Sequence, residues 1–240
     1  MTPTVNHPDF RRDYHSILTR SLNNLRGTRG SQWAPDEQSP VVLLGEDAIL
    51  DASAYSLANP ETHDLERWES WPGVISRIDQ LAGPPEIITK PEWFYDPDGD
   101  VPDVAVLRYG KPLLLSEWND EEYRSEVLRR VDERCERARE KRKGRALLGR
   151  VAILAQSISD TPSSELPIRT RNPRVKCRST TLRIAYLLWL SLFRREHREA
   201  RLAFEAGDQE AEFPFGTYWH ALRYRVNCSA VGPPGVVRLA

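Results

Sequence analysis

The tightest constraint on this chain is the run Glu46–Pro60, EDAILDASAYSLANP, which reads as a single helix. Ile49, Leu50, Ala54 and Leu57 recur at helical spacing, so one face turns toward a core. Glu46 and Asp47 open the run, where the positive end of a helix dipole favours acids. Pro60 disfavours helical geometry at Asn59 and sets the expected end. Asp51, Ala52 and Asn59 flank Tyr55 at i−4, i−3 and i+4, so no large neighbour walls in its ring. Two roles are open to such a tyrosine. It packs at a helix edge, as half-buried tyrosines commonly do. Alternatively it is a nucleophile, and a phenol of pKa about 10 needs a polarised phosphate or a base to act as one.

Elements on either side follow from the same periodicities. Phe10, Tyr14, Ile17, Leu18, Leu22 and Leu25 form one apolar stripe, predicting a helix that Asp9 could cap. Ser39–Leu44 reads as a short strand. Between Pro84 and Leu115 the runs EIITK, DVAVLRY and PLLL alternate with Pro and Gly, which predicts a few strands joined by loops. Asn119 or Asp120 caps a long helix to Arg142, with Tyr123, Val127, Leu128 and Val131 on its apolar side. Ser179 or Thr180 caps another, ending near Ala206 at Gly207.

The formal net charge of −1 hides an asymmetry, because residues 1–120 carry −10 and residues 121–240 carry +9. A split of this kind suggests two functional halves, the second able to meet nucleic acid. Basic residues concentrate in two places there. Lys141, Arg142, Lys143 and Arg145 close the long helix, and Arg169, Arg171, Arg174, Lys176 and Arg178 fill a Pro-rich loop. Each could track a phosphate backbone, as could Arg11 and Arg12 off the stripe of the first helix; a solvated basic surface is the other reading. Cys135, Cys177 and Cys228 are far apart and form no CxxC pair, which argues against a disulfide framework or a cysteine zinc site. The longest apolar run, Ile184–Phe193, is too short to span a membrane and is flanked by arginines. The expected setting is therefore the cytoplasm, associated with the nucleoid, with no membrane partner.

The run from Phe10 to Val74 resembles the second half of the catalytic domain of REP-associated tyrosine transposases, which are single-tyrosine HUH nucleases. The match is carried by the helix FRRDYHSILTRSLNNLR at Phe10–Arg26, Trp33, SPVVL at Ser39–Leu43, AYSLANP at Ala54–Pro60 and WPGV at Trp71–Val74. The FPFGTYW run at Phe213–Trp219 is similar to the C-terminal signature of the same branch. The family's nucleophile lies four residues before an Asn-Pro pair, which here implies Tyr55 before Asn59-Pro60. The family also holds Mg²⁺ or Mn²⁺ on a His-hydrophobic-His strand ahead of the tyrosine helix. The histidines here are His7, His15, His63, His197 and His220, and no two are separated by one residue. The expectation is thus a chain truncated at its front, with no metal ligands and no cofactor of its own.

The resemblance implies an α+β fold with three parts. Residues 1–80 would be the back half of an HUH-type α/β catalytic domain, 81–118 a short β-rich connector, and 119–240 a mainly helical, basic, DNA-contacting region. The implied function is DNA transposition through Tyr55 on single-stranded or hairpin DNA, with cleavage absent in this chain alone because the histidine pair is missing. The alternative is a non-catalytic DNA-binding module or regulator. Neither reading sets an oligomeric state.

Overall fold

The computed structural model describes residues 7–31, 41–73, 77–92, 95–96, 98–160 and 175–229. Its helices are α1 His7–Arg26, α2 Glu46–Thr62, α3 Asp120–Arg142, α4 Arg150–Leu154, α5 Thr180–Glu205 and α6 Tyr218–Tyr224. The strands are short: β1 Val42–Leu43, β2 Glu86–Thr89, β3 Val104–Leu107, β4 Val175–Lys176, β5 Glu212–Phe213 and β6 Asn227–Cys228. They form three two-stranded sheets, β1 with β4 and β5 with β6 in parallel, β2 with β3 antiparallel. The fold is accordingly α+β in the broad sense. Among the described residues, no helix is long and apolar enough to cross a membrane.

The chain divides into two compact units, Gly45–Asp160 and the pairing of Met1–Leu44 with Thr161–Ala240. This differs from the expected boundaries at 80 and 118. The helix at 120–142, expected to belong with the C-terminal region, packs on α2 instead. The reason is apolar matching: Leu50, Ala54, Leu57 and Ala58 of α2 share one buried cluster with Tyr123, Val127, Val131 and Cys135 of α3. Leu115, in a 3₁₀ turn Leu113–Leu115, closes the same cluster, so PLLL is a turn rather than a strand.

Within Gly45–Asp160, α2 runs past the point where proline was expected to stop it. Pro60 is buried inside the helix, which continues to Thr62. Proline removes the donor to the Ser56 carbonyl, but Ser56 is exposed, so water can serve that oxygen. Asn119 caps α3 as expected, its side chain accepting from the Glu122 N–H at 2.7 Å. The β2–β3 hairpin pairs Ile87 with Val106 and Ile88 with Ala105.

Within the other unit, α1 begins before its expected cap. Asp9 lies inside the first turn and pairs with Arg12 at 2.8 Å rather than capping. Ser179 does cap α5, accepting from the Leu182 N–H at 3.2 Å. Phe213 packs with Ala200, Phe204, Ala221 and Val226. His197 and His220 stand edge-to-face against each other, ring centroids 5.5 Å apart, in the same aromatic group. Burial pushes the His197 imidazole below its ordinary value, and neighbouring His220 and Arg201 push the same way. The FPFGTYW run therefore builds this core: Phe213, Phe215 and Thr217 are all buried. Trp33 and Ser39, which carry part of the family resemblance, lie outside the described residues, as do Val74 and the tail from Ala230.

Candidate functional site

Tyr55 lies where α2 and α3 meet, and charge chemistry sets how they meet. Acids on α2 face arginines on α3 in an order that advances along both helices together. Asp47 pairs with Arg130 at 2.7 Å, Asp51 with Arg130 at 3.0 Å, Glu61 with Arg139 at 2.8 Å, and Asp64, just past α2, with Arg142 at 3.2 Å. The helices thus run in the same direction, which aligns their dipoles unfavourably. The crossed ion pairs offset that cost and fix the register.

Arg130 is the centre of the set. Its side chain is only 10 % exposed and binds three carboxylates, those of Asp47, Asp51 and Glu126. Burial opposes its charge, but the three acceptors outweigh burial and hold it well above its ordinary value. Glu126 is held down to about 2, first by its hydrogen bond from Arg129, with Arg130 adding to it against the cost of burial. Further along, burial pushes the Cys135 thiol up to about 12, and the adjacent Glu61 carboxylate adds to the rise. That thiol is inert at neutral pH.

Tyr55 stands at the rim of this pair, 47 % exposed, while Ala54, Leu57 and Ala58 beside it are buried. Arg134, one turn beyond Arg130, places its guanidinium carbon 5.9 Å from the Tyr55 ring centroid. The same guanidinium donates to the Asp51 carbonyl at 3.3 Å. It also lies 3.7 Å from the Asp51 carboxylate, so the cation beside the tyrosine ring is held by α2 itself.

The expected DNA-contacting residues separate into groups. Lys141, Lys143 and Arg145 are exposed together at the end of α3, in the same unit as Tyr55, with Arg145 also 3.8 Å from the Asp64 carboxylate. Arg142, between them, is not available: it is buried and paired with Asp64, a correction to its expected role. Arg12 is exposed but engaged by Asp9 at 2.8 Å and Asp13 at 2.9 Å on its own helix; Arg11 is half-buried. Lys176 sits half-buried on β4, and Arg178 is exposed just before α5. Arg169, Arg171 and Arg174 lie outside the described residues.

Sequence reading missed Arg130 and Arg134. The signal was present as matching one-turn spacings, acids at 47 and 51 against arginines at 130 and 134. Among the described residues, no group of three or more His, Cys, Asp or Glu converges to hold a metal. No family model, no curated protein and no solved structure matches the chain.

Proposed function

We propose that this chain binds single-stranded or hairpin DNA as a relative of the REP-associated tyrosine transposases, with Tyr55 at the position of their nucleophile. On this reading residues 1–80 correspond to the back half of an HUH-type domain, and a place in the nucleoid follows from DNA as partner. The observation that carries it is the half-exposure of Tyr55, with a guanidinium over its ring, on a helix whose other face is fully buried. The complete family reaction joins the tyrosine oxygen to phosphorus as the bond from phosphorus to the 3′ oxygen breaks. A 5′-phosphotyrosine forms and the 3′-hydroxyl is released. Polarisation of the phosphate by Mg²⁺ or Mn²⁺ is the family's means, and the histidine pair that would hold it is not in this sequence.

The chain alone is therefore expected to bind without cleaving. Incubation with a labelled hairpin oligonucleotide and Mn²⁺, followed by denaturing electrophoresis, should give no covalent adduct. An adduct present in the wild type and lost in Tyr55→Phe would contradict this. The second reading, a DNA-binding module without chemistry, is favoured by Lys141, Lys143 and Arg145, which are exposed independently of Tyr55. It predicts equal affinity for wild type and Tyr55→Phe, with loss on replacing those three.

A further inference from the structure

The β2–β3 hairpin exposes an edge with an asymmetry that points to a partner. The Lys90 N–H donates to the Asp103 carbonyl at 2.8 Å, and the Ala82 N–H donates to the Tyr109 carbonyl at 3.0 Å. With Ile88 opposite Ala105, these bonds fix the phase of the ladder. Asp103, Ala105 and Leu107 turn their backbone polar groups toward β2. Val104, Val106 and Arg108 turn theirs outward.

The two outer edges are not alike. On β2 the outward residues are Ile87 and Thr89, bracketed by Pro85 and Pro91, which have no N–H to offer. Proline at both ends is how a sheet closes an edge. On β3 the outward row Val104, Val106 and Arg108 is preceded by Pro102 but followed by Gly110, so only one of its ends is closed. Each residue of β3 is exposed, Val104 at 53 % and Val106 at 57 %, and among the described residues no third strand joins this sheet. A two-stranded ribbon is marginal by itself, and three or more strands sharing an apolar face are the stable form.

We propose that the outer edge of β3 pairs antiparallel with β3 of a second copy of this chain, about a two-fold axis at Val106. The edge is self-complementary in that register. Val104 faces Arg108 of the other copy and Val106 faces its own equivalent, so the outward residues exchange about six backbone hydrogen bonds. On the opposite face Ala105 meets Leu107, small against large, and no like charges stand opposite one another. Ile87, Thr89, Val104 and Val106 of both copies then form one continuous β-branched face across four strands.

The test is sedimentation of the full chain from ~1 to ~100 µM, with amide exchange read residue by residue. The wild type dimerises, and the Val104, Val106 and Arg108 amides gain protection only as dimer forms. Val106→Pro removes an outward N–H and leaves the hairpin's own bonds intact. Val106→Lys keeps that N–H but sets two ammonium groups face to face. Both raise the dimer dissociation constant by about tenfold or more. A wild type that is monomeric throughout, a dimer indifferent to both substitutions, or protection confined to other amides overturns the proposal.

Discussion

One side chain, Arg130, holds three carboxylates from two helices while nearly out of water. Removing one partner of a buried ionic group strands the others, at a cost of about 3–5 kcal/mol. Arg130→Ala should therefore lower the urea midpoint of the Gly45–Asp160 unit sharply, with Arg129→Ala, at an exposed position, costing far less. Acid should act on the same contacts. Glu126 titrates near 4.5 when unfolded and near 2 when folded. Its contribution to stability is thus complete above about 4.5 and is lost as pH falls toward 2. Thermal melts across that window should show a falling midpoint whose slope shrinks in Glu126→Gln. The same scale shows where sequence reading stopped. Spacing separates one helix face from another, but it could not tell Arg142 from its neighbours Lys141 and Lys143. The acid that buries Arg142 is Asp64, 78 positions earlier in the chain.

At the scale of elements, the long periodic segments were legible and only some of the short ones were. α3 and α5 start at the caps expected for them, and α2 starts at Glu46 as expected but runs past Pro60 to Thr62. The first two strands of the 84–115 stretch are there as a hairpin, because alternating β-branched runs carry their own signal. Of the two-residue strands, β1 falls inside the Ser39–Leu44 run that reads as a strand, while β4, β5 and β6 have no such signal, since each exists only by pairing with another segment. Pro60 shows a local rule overridden by packing. The residue before proline is disfavoured in a helix, yet Ala58 and Pro60 are both buried and the helix continues. Small residues are what let α2 approach its neighbour. Ala58→Leu should overpack the α2–α3 seam and destabilise by about 1–3 kcal/mol, read as a reduced denaturant midpoint, while Ser56→Leu, on the exposed side, should cost little.

For the whole molecule, the charge split along the chain does not follow the division by packing. The acidic first half and basic second half meet inside one unit, where Asp47, Asp51, Glu61 and Asp64 are matched to arginines of α3. Part of the basic excess that suggested nucleic acid is therefore consumed in holding the fold. What is left at the end of α3 is Lys141 and Lys143, with Arg145 exposed but 3.8 Å from the Asp64 carboxylate, and Arg178 stands exposed in the other unit. Composition made the excess visible, but only the packing shows which cations face outward. The direct test is equilibrium binding of a labelled single-stranded hairpin oligonucleotide between 50 and 200 mM salt, by anisotropy. If three or more phosphates are contacted, affinity should fall by roughly tenfold or more over that range, and equally in Tyr55→Phe. Binding that is absent at the lowest salt, or that does not change with salt, would contradict the account.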